Sequence, residues 1–120
     1  MTNILIDSDK KLHNLLSKIE DCKEIGLDTE FIRESTYRPI LALIQISLAN
    51  DEIYLIDPQK IRDISGISKI TSDSKIIKII HSAKQDLEAL YSHLGSFPQN
   101  VFDTQIAHNF LSEKSNIGYS

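Results

Sequence analysis

Ile25-Gly26-Leu27-Asp28-Thr29-Glu30-Phe31-Ile32-Arg33 is the stretch that decides the architecture. Side chains of an extended chain alternate between two faces, so Ile25, Leu27, Thr29 and Phe31 share one side and Gly26, Asp28 and Glu30 the other. An apolar face backed by an acidic one describes a half-buried strand. Upstream, Asn3 to Ile6 reads as a short strand, and Ser8 can cap a helix whose Leu12, Leu15, Leu16 and Ile19 recur at helical spacing. Downstream, Leu41 to Ser47 and Ile53 to Ile56 are apolar runs joined by Ala49-Asn50-Asp51-Glu52, a hairpin connection, and Asp57-Pro58 stops the second of them. The stretch from Ile61 to Ile70 is expected to be helical in part.

Ile76 to Ile80 is too short for a helix and reads as a buried strand. Ser82 and Gln85 have capping-box spacing, and the helix they open carries Ala83, Leu87, Leu90, Tyr91 and Leu94 before Gly95 ends it. Asn100 to Asp103 is a last short strand, after which Asp103 or Thr104 caps a helix bearing Ile106, Ala107, Phe110 and Leu111. A meander followed by alternating helices and strands predicts an α/β fold: a mixed five-stranded sheet, an antiparallel meander continued by β-α-β units, with helices packed on it.

The chain of 120 residues has room for one domain, and its 41% hydrophobic and 25% charged residues are ordinary for a globular one. No apolar run approaches the ~20 residues of a membrane-spanning helix, and the start of the chain lacks the pattern of a secretory signal, so no membrane partner is expected. A single cysteine, Cys22, excludes an internal disulfide and suits a reducing cytoplasm. The net charge of −4 excludes nucleic-acid binding by bulk electrostatics; a nucleic acid here is held by local geometry or through bound cations.

Asp28 and Glu30 leave the same face of their strand about 6–7 Å apart, at ~3.3 Å per residue. Such a pair suits a hard divalent cation such as Mg²⁺, although two acids on the wet face of a half-buried strand need no ligand at all. Asp86 lies three residues after Ala83 and four before Leu90, on the inward stripe of its helix. An unpaired carboxylate there is costly, so a shared metal ion or metal-bound water is one reading. A stripe-edge aspartate that reaches solvent and favours the helix dipole is the other. His81, at the strand–helix junction, can reach the same place, although a histidine at such a junction is more often a hydrogen-bonding structural residue than a catalytic one.

Read together, these segments resemble the ribonuclease D family. Residues 25–33, Thr36-Tyr37-Arg38-Pro39, Leu43-Ile44-Gln45-Ile46-Ser47 and Leu55-Ile56-Asp57-Pro58 look like the family's first exonuclease motif and following hairpin. Residues 79–90, Ile-Ile-His-Ser-Ala-Lys-Gln-Asp-Leu-Glu-Ala-Leu, resemble its second motif, and Phe102-Asp103-Thr104-Gln105-Ile106-Ala107 the junction after it. The resemblance implies a ribonuclease H-like fold and the DEDD group of 3′–5′ exonucleases, in the subgroup that uses a tyrosine. It implies Asp28, Glu30 and Asp86 as catalytic, metal-binding acids, and two divalent ions, Mg²⁺ or Mn²⁺, as cofactors. The implied reaction releases nucleoside 5′-monophosphates from RNA 3′ ends, with tRNA precursors as typical substrates. Thr29, Phe31, Tyr37, Arg38 and His81 are the implied substrate contacts.

The family's third motif, a tyrosine four residues before an aspartate, has no match: Tyr119 is followed only by Ser120. Residues 1–120 are therefore expected to form a C-terminally truncated, incomplete exonuclease domain with some apolar surface left bare. A second polypeptide carrying the remainder would complete it. The alternative is an inactive remnant that keeps nucleic-acid or cation binding without turnover.

Overall fold

Residues 2–32, 40–81 and 83–118 are described by the computed structural model. In chain order the elements are β1 (Thr2–Ile6), α1 (Asp9–Ile19), β2 (Glu24–Ile32), β3 (Ile40–Ser47), β4 (Glu52–Ile56), a 3-10 turn (Pro58–Lys60), α2 (Ser65–Thr71), β5 (Ile77–Ile80), α3 (Ala83–Leu94), β6 (Val101–Asp103) and α4 (Thr104–Gly118). The strands form one mixed sheet in the order β1-β4-β3-β2-β5-β6. The meander β2-β3-β4 is antiparallel; β5 lies parallel to β2, and β6 parallel to β5. The sheet has six strands rather than the five expected, because β1 pairs in parallel with β4 from Thr2↔Glu52 to Ile6↔Ile56. A parallel partner so distant in sequence leaves no local signal, so β1 was legible as a strand but not as a member of this sheet.

Local chemistry explains most boundaries. The Ser8 hydroxyl accepts a hydrogen bond from the Lys11 amide at 3.3 Å and opens α1. Asp51 turns the β3–β4 hairpin at φ 65°, and the Asn50 side chain accepts the Glu52 amide at 3.1 Å. Asp57 caps the 3-10 turn in which Pro58 stops β4. Gly95, at φ 77°, ends α3.

One face of the sheet makes the core. Ile25 and Leu27 of β2, Ile44 and Ile46 of β3, and Tyr54 and Ile56 of β4 bury against Leu12, Leu15 and Ile19 of α1, Ile67 and Ile70 of α2, and Leu90 of α3. Each such side chain contributes roughly 1.5–3 kcal/mol relative to exposure. Leu41 joins this face although it is an odd number of residues from Ile44. Glu30 pairs with Leu43 and Phe31 with Leu41, so Ala42 is an extra residue in β3 that resets the alternation. Tyr91, expected on the inward stripe of α3, instead lies half exposed and stacks on Phe97 with ring centroids 4.3 Å apart. The apolar stripe of α4 is also open: Ile106 is 68% and Leu111 63% exposed. Ser82, Tyr37, Arg38 and Tyr119, each singled out from the sequence, lie outside the described residues.

Lys78 is fully buried within β5. Its ammonium donates to the backbone carbonyls of Asp73 at 2.5 Å and Gln99 at 3.0 Å, tying the turns that precede β5 and β6. Burial holds its pKa below the usual lysine value, with the nearby Asp73 charge opposing. Lys78→Met keeps the apolar stem and removes both donors. The expected loss is about 1–3 kcal/mol in chemical denaturation; a loss below about 0.5 kcal/mol would show that the stem, not the ammonium, does the holding.

Candidate active site

On one edge β2 pairs with β3 out to Ile32, but on the other it pairs with β5 only from Glu24 to Gly26. Beyond Gly26 that edge is released from the ladder, and α3, which follows β5, packs against it. The result is a notch outside the carboxyl ends of β2, β5 and β6, where α/β sheets place their ligands. Asp28, Thr29 and Glu30 lie on the released part of β2.

The Thr29 amide is shared. It donates to Asp28 Oδ1 at 3.0 Å and to Asp86 Oδ1 at 3.0 Å. Two oxygens at that distance from one nitrogen cannot be farther apart than twice it, so strand acid and helix acid are neighbours. The Thr29 hydroxyl also donates to Asp86 Oδ1. Thr29 thus presents a buried hydroxyl and an amide to one carboxylate, bracketing Asp86 against the strand edge. Asp86 is 7% exposed, as its place on the inward stripe predicts. Burial raises its pKa above the ordinary aspartate value of 3.8; the Thr29 hydroxyl opposes that shift, and the charge of Asp28 adds to it. Among the described residues no basic side chain pairs with Asp28, Glu30 or Asp86.

His81 is exposed just after β5, its Nδ1 2.9 Å from Thr104 Oγ1. With Asp28, Gly26, Gln45, Ser47 and Thr104 it lines a cavity of about 390 Å³ on the open face of the sheet. Gly26 matters there because a Cβ would meet the Ser47 hydroxyl. Glu30 is exposed on the face shared with Asp28, and Phe31 is half-buried beyond the bulge. Two predicted roles change in emphasis. The Thr29 hydroxyl is committed to Asp86, so it braces an acid. And Asp103, expected to cap α4, does so while also accepting the Ala83 amide at the start of α3. The sequence carries a signal for the cap but none for the second bond.

Oxygen donors of two close carboxylates, without a basic partner, suit a hard divalent cation. The fit is incomplete: among the described residues no three Asp, Glu, His or Cys side chains come close enough together to hold a metal ion. Asp28 and Asp86 are brought together; Glu30 does not close a three-acid cluster with them.

A family model described as "3'-5' exonuclease" matches residues 3–120. The chain belongs to the 3′–5′ exonuclease family. Its similarity runs to the ribonuclease D branch, as the resemblance implied. It is 44% identical over 117 residues to the ribonuclease D of Desulfotalea psychrophila, covering 89% of this chain and 31% of that protein. It is 36% identical over 116 residues to that of Escherichia coli, covering 97% of this chain and 31% of the relative. The chain thus spans about 31% of the length of these curated relatives. The crystal structure of Escherichia coli RNase D, described as an exoribonuclease involved in structured RNA processing, superposes with a TM-score of 0.82 at 39% identity, over 88% of this chain and 28% of that one. The fold recurs in Trypanosoma brucei RNase D, solved in complex with RNA U12, at a TM-score of 0.78 and 22% identity, over 87% of this chain and 38% of that one. Among the described residues of this exonuclease domain, no helix is long and apolar enough to cross a membrane.

Asp86 gives the domain a pH signature. The folded state holds its proton to higher pH than the unfolded chain does. Its contribution to stability is therefore fully present below the unfolded value of 3.8 and is lost as pH rises through the higher folded value. In EDTA at pH 7, Asp86→Asn is expected to raise the Tm. It should also flatten the stability profile between pH 4 and neutrality, measured by thermal melts. An unchanged or lower Tm at pH 7 would show that the buried charge is not a cost.

Proposed function

We propose that this domain hydrolyses the terminal phosphodiester at RNA 3′ ends, tRNA precursors among them, releasing nucleoside 5′-monophosphates. The observation that carries the reading is the Thr29 amide shared by Asp28 and Asp86, which unites acids 58 positions apart in the chain, the first of them lining an open cavity. The ribonuclease D relatives support the substrate class.

Asp28 and Asp86, with Glu30 on the strand face of Asp28, are the acids that would hold divalent ions, Mg²⁺ or Mn²⁺. When bound, such ions supply an activated water and neutralise charge on the attacking and leaving oxygens. The chain's own residues do the positioning. Thr29 fixes the Asp86 carboxylate through its hydroxyl and amide. Gly26 and Asp28 of β2, with His81, frame the cavity that takes the terminal nucleotide, and Phe31 farther along β2 is a further contact for it. Tyr37 and Arg38, in the connection between β2 and β3, contact the approaching RNA.

The unclosed three-acid set favours a second reading, cation or nucleic-acid binding without turnover. Incubating the chain with Mn²⁺ and an RNA labelled at its 5′ end separates the two. A ladder shortening from the 3′ end, lost at least about 100-fold in Asp28→Asn, is expected for groups that act as a unit. Saturable RNA binding with no shortening would establish the second reading. Mn²⁺ at 100 times its Kd should stabilise the fold by about 2.7 kcal/mol if the acids hold the ion, and no Mn²⁺-dependent change in Tm would overturn the hydrolytic reading.

A further inference from the structure

We infer that Asp103 is a positioning residue for the acid pair: one carboxylate holds the first turns of α3 and α4 together and so sets where Asp86 meets Thr29. The geometry is independent of the proposed function; only its catalytic meaning rests on that reading.

Asp103 is the last residue of β6, the strand beside β5. Its Oδ1 accepts the Gln105 amide at 2.9 Å and the Ile106 amide at 3.4 Å, an ordinary cap of α4. Its Oδ2 accepts the Ala83 amide at 2.7 Å. A capping carboxylate usually leaves its second oxygen to water. Here that oxygen goes to the first residue of a different helix, 20 positions earlier in the chain. One negative charge then faces two helix N-termini, where helix dipoles favour it. A second link runs alongside, from His81 Nδ1 to Thr104 Oγ1 at 2.9 Å. The β5–α3 and β6–α4 junctions are thereby joined twice.

Ala83 and Asp86 are three residues apart on one helix face, and both are buried. At 1.5 Å of rise per residue, the anchored amide lies about 4.5 Å along the axis from the acid. The far end of α3 has its own anchors. Leu90 is fully buried, and His93 Nε2 accepts the Leu41 amide at 3.2 Å while Nδ1 faces the Ala89 carbonyl at 2.9 Å. With that end tied to β3, the Asp103 bond governs the turn that carries Asp86. An asparagine at 103 offers one acceptor oxygen and cannot serve both helices.

Amide hydrogen exchange on the full 120-residue chain in EDTA, followed by NMR, tests the brace without requiring turnover. Exchange is read relative to core amides of β3, which removes any change in global stability. Asp103→Ala should expose the Ala83 and Gln105 amides. It should also speed exchange at Thr29 at least tenfold, approaching the effect of Asp86→Ala. A cap that is merely structural would expose Ala83 and Gln105 and leave Thr29 as in the unaltered chain, and that result overturns the proposal. So does an Ala83 amide that keeps its protection. Should Asp103→Ala not fold, Asp103→Asn carries the test: Thr29 protection must follow Ala83 protection, and loss at Ala83 with none at Thr29 overturns it. A chain with no nuclease activity that still passes this test would count against the proposed function and leave the brace standing.

Discussion

Burying a carboxylate is expensive unless donors are waiting for it, and the site depends on how that cost is met at Asp86. The main donors come from Thr29, whose amide and hydroxyl both turn to the helix acid. They are available because β5 stops pairing with β2 at Gly26. Had β5 continued along β2, that edge would have gone into a ladder and the helix acid would have met a closed sheet. The same amide also serves Asp28, so like charges are held side by side and Asp86 is pushed further toward its protonated form. No basic side chain among the described residues relieves that repulsion. A site built this way has a standing demand for positive charge, which a divalent cation can meet.

The asymmetry of the sheet gives that site its place. Helices cover one face with aliphatic side chains, and the other leaves Gly26, Asp28, Gln45 and Ser47 around an open cavity. The two faces alternate along a single strand, so the residues that stabilise the fold and those that would do chemistry are interleaved in β2. The extra residue at Ala42 shows how strictly the buried face is kept: β3 inserts a position and bends rather than turn Leu41 to solvent.

Much of this was legible in the chain. The alternation in residues 25–31 marked the strand and its two faces; Ser8, Asp57, Gly95 and Asp103 marked boundaries through capping and turn chemistry that acts over a few residues. Asp86 was correctly placed on a buried stripe because helical spacing is a local property. The parallel pairing of β1 with β4 and the second bond of Asp103 to Ala83 were not legible, because each joins segments far apart in the chain. The stacking of Tyr91 on Phe97 depends on how the turn at Gly95 folds back, which helical spacing does not carry.

By itself, the amino-acid order determined where strands and helices form, which side of β2 and of α1 faces the core, and which acids stand out as costly to bury. Those are matters of spacing along one chain. Tertiary structure alone decided that β5 ends early, that Thr29 would serve two carboxylates, and that Glu30 would not close a cluster with them. Periodicity tells which way a side chain points, but the distance between groups on different elements depends on where each ladder starts and stops.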